Sequence, residues 1–136
     1  KATIHSSTPG DFTTVEQGSF AFSVPYTTST FPADLNNDTD IDTHETLLQT
    51  NTLGLVNPNG TVCRIVDFAP GKSPLMHRTQ SLDYGIGDIA VQRATMHAWR
   101  NPSEDKWVRM LFVLQECRPL GEDLGGAVEL NPSSKE

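Results

Sequence analysis

The chain has 136 residues, enough for one domain with a real hydrophobic core and no need for a second. Its 17 acidic residues against 10 basic ones give a net charge of −7, which argues against binding to nucleic-acid phosphates or to anionic membrane surfaces. No apolar run approaches the roughly 20 residues that span a bilayer, and the first residues show no basic-then-apolar signal segment. We therefore expect a cytoplasmic protein without nucleic-acid or membrane partners.

Residues 1–56 are rich in Thr, Ser, Asn and Asp, with short apolar pieces and no helical period, which predicts an N-terminal arm with edge strands. An acidic stretch from Asp34 to Glu45 has the ligand spacing of an EF-hand calcium loop. However, Thr39 stands where the loop requires glycine, and no helix is expected before it. A solvated acidic loop or a dimer-contact arm is the better interpretation.

Residues 57–118 carry the strongest strand signals and are interpreted as the core of a β barrel. A Pro-Asn-Gly turn precedes a predicted strand from Thr61 to Phe68. A second strand, Trp107–Gln115, is apolar on both faces over much of its length, as in a two-layer core. Residues 119–136 turn polar and rich in Gly and Pro, which predicts a C-terminal tail. The expected class is all-β, with at most one or two helical turns.

The two cysteines, Cys63 and Cys117, stand at the ends of apolar runs rather than in a Cys-x-x-Cys pair. This spacing excludes a zinc knuckle and a thioredoxin-like motif. We expect buried free thiols rather than a disulfide.

A row of polar residues lies inside this β-rich region. If residues 76–84 are extended, the period of two places four of them on one face of the strand: His77, Thr79, Ser81 and Asp83. A second extended run would place His97, Trp99 and Asn101 on a similar face. Such a set of imidazole, hydroxyl and carboxylate groups indicates a functional site rather than packing alone.

These residues resemble the two motifs of the cupin superfamily, G-x5-H-x-H-x3,4-E-x6-G and G-x5-P-x-G-x2-H-x3-N. Gly71, His77 and Asp83 fall in register with the first motif, and His97 with Asn101 keeps the H-x3-N spacing of the second. Three positions depart from the pattern: Thr79 replaces the second histidine, Asp83 shortens the glutamate, and Gln92-Arg93-Ala94 stands in place of P-x-G.

From roughly Asn57 to Leu114, the sequence around these motifs is similar to that of small single-domain cupins of fungal secondary metabolism. It includes Val-Asp-Phe-Ala-Pro-Gly, His-Arg-Thr-Gln-Ser-Leu-Asp-Tyr-Gly and Thr-Met-His-Ala-Trp-Arg-Asn. The resemblance implies a double-stranded β-helix, the jelly-roll barrel of cupins.

The spacing between the motifs conflicts with that fold. In a complete cupin two further strands separate the motifs, whereas here Ile86 is followed directly by Gly87. Removing a strand pair would open the sheets and leave unpaired edges. We expect that the natural protein carries additional residues between Ile86 and Gly87. A genuine deletion, as from altered splicing, is the alternative and would need a partner chain to supply the missing edge.

The resemblance implies a catalytic role for His77, Asp83 and His97. They also form a two-histidine, one-carboxylate set suited to one divalent metal, Fe, Zn, Mn, Ni or Cu. Because Thr79 is a poor replacement ligand, a metal-free pocket stays open, in which a histidine moves protons and Asp83 orients an imidazole. A third possibility is that the three residues only hydrogen-bond inside a degenerate cupin.

Further residues near the motifs are candidates for substrate binding. Thr79, Ser81 and Gln92 offer hydroxyl and amide groups, and Arg64 is suited to hold a carboxylate or phenolate. Tyr84 and Trp99 are candidate walls for a ring-containing ligand, although core packing is the commoner role of such residues.

The sequence thus favours a cupin enzyme that transforms a polyketide-like or aromatic small molecule, by oxidation or by dehydration, isomerisation or cyclisation. A non-catalytic ligand-binding or scaffold cupin is the alternative. A homodimer is expected, because the polar arm with its short apolar pieces is suited to adding a strand to a neighbour.

Overall fold

The computed structural model describes residues 12–73, 76–86 and 90–118. Single turns of 3-10 helix occur at Glu16–Gly18 and Asn36–Asp38. The longer elements, in chain order, are β1 Thr13–Val15, β2 Phe20–Thr28, α1 Thr39–Thr50, β3 Thr61–Phe68, β4 Ser81–Ile86, β5 Ala90–Arg93 and β6 Val108–Glu116.

The strands form one six-stranded antiparallel sheet in the spatial order β1-β2-β3-β6-β4-β5. Its centre is the pairing of β3 with β6, which is continuous from Thr61 opposite Gln115 to Phe68 opposite Val108. The strand predicted at Thr61–Phe68 is confirmed, and the one predicted at Trp107–Gln115 is found one residue later. The all-β class is therefore confirmed.

The two faces of the sheet differ in what covers them. On the inner face, alternate residues of β3 are buried and pack with β6 into a core of Val66, Phe68, Phe112 and Leu114. The outer face carries apolar side chains as well, and three near the β4–β5 edge are largely exposed: Tyr84, Ile86 and Val91. The described part of the chain thus places its main hydrophobic core on the inner face.

Over the inner face lie two segments that belong to no strand of the sheet. His77 and His97 pair through two backbone hydrogen bonds, from His77 N to His97 O at 2.8 Å and from His97 N to His77 O at 2.9 Å. The extended run expected over residues 76–84 is a strand only from Ser81 onward. The second expected run, around His97, is reduced to this bridge.

Helix α1 contradicts the expectation of at most one or two helical turns. Apolar periodicity does not predict this helix, because the one residue that it buries, His44, is polar. The carboxylates of Asp40 and Asp42 stabilise the helix, because they lie near the positive end of its dipole. His44 Nδ1 lies 3.3 Å from Thr27 Oγ1 of β2. Much of the acidic stretch interpreted as a loop is therefore helical.

Polar contacts also fix the start of this helix against the sheet. The Tyr26 hydroxyl donates a hydrogen bond to the Asp40 carboxylate. Burial, and then this contact, raises the pKa of Tyr26 to about 12. Asp40 is thus engaged with the sheet rather than directed into a calcium loop.

Strands β4 and β5 pair directly, from Leu82 opposite Arg93 to Gly85 opposite Ala90. Gly87 lies outside the described residues, so the junction of Ile86 with Gly87 is not described. The predicted tail at 119–136 lies outside them entirely. Strands β1 and β2 of the predicted arm join the same sheet as β3. The homodimer stays a prediction.

Two smaller expectations concern the thiols and the membrane. Cys63 and Cys117 are free thiols, as predicted, but both are half-buried rather than buried. Partial burial raises the pKa of each. Within the described ranges, no helix has the length and apolar character required to cross a membrane.

A glycine at the entrance of β3 generates a stability prediction. A Cβ at Gly60 would overlap the backbone carbonyl of Thr28, so Gly60→Ala must displace the junction of β2 and β3. We expect a loss of about 2–3 kcal/mol in the free energy of unfolding, measured by urea denaturation. The control is Gly54→Ala, whose Cβ would meet its nearest atom at an ordinary 3.4 Å. Equal unfolding midpoints for the two variants would contradict the assignment.

Candidate active site

The two imidazoles form the centre of the candidate site. The bridge between their backbones brings the ring centroids of His77 and His97 to 4.5 Å. At this separation both imidazoles can act in one site. His97 Nδ1 lies 2.9 Å from the carbonyl oxygen of Thr95. Because a carbonyl only accepts, Nδ1 carries the proton in this hydrogen bond. The neutral ring then presents an unprotonated Nε2, which is free to take up a proton or bind a metal.

A buried row of polar groups at the start of β4 lies beside the imidazoles. The Ser81 hydroxyl donates to Thr79 Oγ1 at 2.7 Å, and Thr79 Oγ1 donates to Asp83 Oδ2 at 3.4 Å. All three residues are buried. Asp83 Oδ1 has no hydrogen-bond partner in the described ranges of the chain. A buried carboxylate oxygen without a partner is costly, so this atom is available to a substrate proton or a metal.

The charges of Asp83 and the two histidines interact. Burial raises the pKa of Asp83, although the hydroxyls and the nearby imidazoles favour its ionised form. Burial also lowers the pKa of His97, against the opposing effects of Thr95 and Asp83. The lowered pKa favours the neutral imidazole of His97, which can accept a proton, and an ionised Asp83 beside it would stabilise the resulting cation.

The donor types also suit a divalent transition metal, with two imidazoles and a carboxylate that has an unpartnered oxygen. Yet the described residues contain no three His, Cys, Asp or Glu side chains already grouped as a metal site. Metal binding by His77, Asp83 and His97 thus requires their side chains to adjust, and it stays a prediction.

The structure brings most of the expected binding residues to the inner face. Gln92 stands directly opposite Asp83 in the β4–β5 pairing. Trp99 lies edge-on to His97 at 6.3 Å and to Phe112 at 5.5 Å, between centroids. Arg64 is buried on the same face, opposite Phe112.

Tyr84 is not brought together with these residues. It alternates with Asp83 along β4, so its side chain lies on the outer face and is 44% exposed. We leave Tyr84 out of the candidate pocket.

Sequence reasoning missed two other residues of the inner face. Asn101, which the sequence placed beside His97 and Trp99 without assigning it a role, is fully buried, and its amide donates to Phe68 O at 3.0 Å and to Lys106 O at 2.7 Å. It fixes the segment that follows His97. Phe112 forms an aromatic surface between Arg64 and Trp99. The sequence of β6 does not reveal this position, because it depends on the register between β6 and β3.

Fold and site together define a β-sheet protein with an imidazole–carboxylate site on the inner face of its sheet. No family model matches the chain. It is 42% identical to the phomopsin biosynthesis cluster protein D of Diaporthe leptostromiformis, over 80% of this chain and 69% of the relative. It is 34% identical to the oryzines biosynthesis cluster protein J of Aspergillus oryzae, over 76% and 70% respectively. The cupin-domain-containing oxidoreductase virC of Hypocrea virens is 35% identical, over 70% and 58%.

The chain belongs to the cupin family of fungal secondary-metabolite pathways.

The comparisons also bear on the short connection after Ile86. The 132 aligned positions with the phomopsin protein cover 80% of 136 residues, or about 109, so about 23 positions lack a counterpart in this chain. For the oryzines protein, 127 positions cover 76%, or about 103 residues, and leave about 24. This shortfall supports the prediction of an additional strand pair, which the motif spacing assigns to the junction of Ile86 and Gly87.

Tryptic mapping of the protein from its natural source checks this prediction. As the sequence stands, cleavage after Arg78 and Arg93 releases a single peptide, Thr79–Arg93. We expect that peptide to be replaced by one or more peptides with a total of about 23 additional residues, a further mass of about 2.5 kDa at the mean residue mass of this chain. Detection of the uninterrupted Thr79–Arg93 peptide would establish a genuine deletion.

The buried Asp83 generates a prediction on stability. Because its pKa is raised in the folded protein, ionisation of Asp83 destabilises the fold above the ordinary value of 3.8. Asp83→Asn should therefore raise the unfolding temperature of the metal-free protein at neutral pH, by about 4 °C for about 1 kcal/mol. The gain should decrease as the pH falls and vanish below the ordinary value of 3.8, where Asp83 is protonated in both the folded and the unfolded state.

The matched control is Asp105→Asn, an exposed carboxylate, for which we expect little change in the unfolding temperature at any of these pH values. If Asp83→Asn lowers the unfolding temperature at neutral pH, the carboxylate stabilises the fold and its assignment to function loses its support.

Proposed function

We propose that this cupin is an enzyme that transforms a polyketide-like or aromatic small molecule, with oxidation as the leading reaction. The observation that carries the proposal is the pair of imidazoles at 4.5 Å beside the buried Asp83. Three of the similar proteins are named by their chemistry as well as their domain, as cupin-domain-containing oxidoreductases of Hypocrea virens, Aspergillus ruber and Neurospora crassa. Those names support the oxidative reaction.

Each polar residue has a proposed role. In the metal-free form of the reaction, His97 Nε2 takes a proton from an acidic carbon or hydroxyl of the substrate, because Nδ1 is already engaged with Thr95 O. Asp83 stabilises the imidazolium that forms, and His77 lies close enough to exchange a proton with the substrate or with His97. Thr79, Ser81 and Gln92 orient the substrate, and Trp99 packs against its ring.

In the oxidative form of the reaction, His77, Asp83 and His97 would hold a divalent metal. The bound metal would supply open coordination positions and redox chemistry, with dioxygen as the oxidant that accepts the electrons removed from the substrate. In the metal-free form, the same proton transfers would drive a dehydration, isomerisation or cyclisation. Metal analysis of the purified full-length protein separates the two: stoichiometric Fe, Mn, Ni, Cu or Zn supports the first, and its absence supports the second.

A non-catalytic binding or scaffold role is the second candidate. One observation favours it: Thr79 occupies the position of a family histidine. If the natural protein does join Ile86 directly to Gly87, the loss of about 23 positions relative to the phomopsin protein would favour it as well. Such a protein would bind a small molecule between the sheet and the histidine segments without turning it over. It would lose ligand binding on removal of Trp99 but lose no reaction on removal of His97.

The test is a metabolite comparison in the host organism. A strain that carries His97→Ala should reproduce the profile of a gene-deletion strain, with one metabolite lost and its precursor accumulated, because His97 is the proposed proton acceptor. The mass difference between the two compounds identifies the reaction. Two hydrogens lost or oxygen gained indicates oxidation, water lost indicates dehydration, and no change indicates isomerisation or cyclisation.

Arg100→Ala is the control, because Arg100 is exposed and three residues away on the same segment. It should leave the profile unchanged. A His97→Ala strain that retains the parental profile, with soluble protein present, would sink the catalytic assignment and favour the binding role.

A further inference from the structure

Arg64 is a buried cation with no counterion among the described residues. It lies on β3 in the inner face and is 7% exposed. Its guanidinium donates one hydrogen bond, from Nη2 to the carbonyl oxygen of Gly54 at 2.9 Å, and stacks over the Phe22 ring at 5.0 Å from the centroid. Nε has no partner in the described part of the chain. Arg109 forms an ion pair with Asp67, and neither residue contacts Arg64 through that pair.

This environment is energetically unfavourable for the folded protein on its own. Burial lowers the pKa of Arg64 to about 10, which still leaves the side chain charged at neutral pH. Removing a charge from water costs several kcal/mol unless an opposite charge and further hydrogen bonds compensate for it. A neutral carbonyl and an aromatic ring compensate only in part. The free Nε–H and the neighbouring Nη–H form the fork that binds a carboxylate bidentately.

Position links Arg64 to the imidazoles. Arg64 stands opposite Phe112, and Phe112 stands opposite Gly85, two residues from Asp83 on the same face. Two interstrand spacings separate Arg64 from β4, about 10 Å. Trp99 contacts Phe112 from above, at 5.5 Å between centroids. An aromatic surface therefore extends from the guanidinium to the imidazole–carboxylate site, with Gly85 adding no side chain over Phe112.

The geometry points to Arg64 as the binding residue for a substrate carboxylate, with the substrate ring on Phe112 and Trp99 and its reacting end towards His97. This inference rests on the proposed function for the position of the reacting end. It adds a substrate class, an aromatic carboxylic acid bound as its anion. The binding step itself requires neither metal nor turnover.

The test is a binding titration with phenylacetate and its neutral analogue phenylacetamide. The chain has two tryptophans, and replacing the exposed Trp107 with Phe leaves Trp99 as the single fluorophore. In this background phenylacetate should change the Trp99 emission saturably and bind at least about 10-fold more tightly than phenylacetamide, as a charge-assisted bidentate pair requires. Equal affinities, or no binding of phenylacetate, would overturn the assignment.

Substitutions locate the effect at Arg64. Arg64→Met should abolish the preference for phenylacetate while leaving the unfolding temperature equal or higher, because an uncompensated buried charge is removed. Arg64→Lys, which keeps the charge but not the fork, should retain only part of the preference, and it serves if Arg64→Met fails to fold. Arg109→Met, at an exposed arginine paired with Asp67, should retain all of it. A preference that survives both Arg64 variants would refute the proposal.

A titration of the His97→Ala variant separates the two hypotheses. If Arg64 binds the carboxylate, His97→Ala should keep its preference for phenylacetate whether or not it supports turnover. A loss of preference in His97→Ala together with its retention in Arg64→Met would assign the anion to the imidazoles instead.

Discussion

Two backbone hydrogen bonds between His77 and His97 hold the site together. This reciprocal bridge is the point at which both histidine segments are fixed over the inner face of the sheet. Because directly paired residues in an antiparallel bridge direct their side chains to the same side, the bridge sets the 4.5 Å between the imidazoles. It also holds Thr79 over Asp83 and seats Trp99 on Phe112. The sheet alone supplies the carboxylate but neither imidazole.

Two polar groups of the candidate site lower the stability of the fold, because they are buried without hydrogen-bond partners among the described residues. Apolar cores exclude polar groups that lack partners, yet Asp83 Oδ1 and Arg64 Nε are both buried without one in the described ranges. Such groups are retained in proteins where they act on a ligand, since a ligand can provide the missing charge or hydrogen bond. The ligand that we propose matches this arrangement, with an anionic end for Arg64 and a proton-donating end for the imidazole–carboxylate site.

The sequence predicts the central strands of this molecule better than its helix and the segments outside the sheet. Strand β3 follows from the turn signal before it, and β6 from a run of apolar residues. The two-residue period of a strand separates Asp83 from Tyr84, so the outer position of Tyr84 was derivable from residue parity alone. Helix α1 was not derivable from apolar periodicity, because polar contacts to Thr27 and Tyr26 hold it. The place of Asn101 depends on carbonyls from Phe68 and Lys106, which no local pattern reveals. Arg64 was suited to an anion by residue type, but only the structure shows that its charge is uncompensated.

The exposed row at the outer β4–β5 edge has a consequence for handling the protein. Tyr84, Ile86 and Val91 present apolar side chains beside β5, a four-residue strand whose far side pairs with no other strand among the described residues. A free strand edge next to apolar side chains is a template for edge-to-edge aggregation, and few charges along β5 oppose it. Colloidal behaviour at high concentration is therefore governed by a surface on the opposite face from the imidazoles. A charged side chain at Val91 could improve solubility there without altering the inner face.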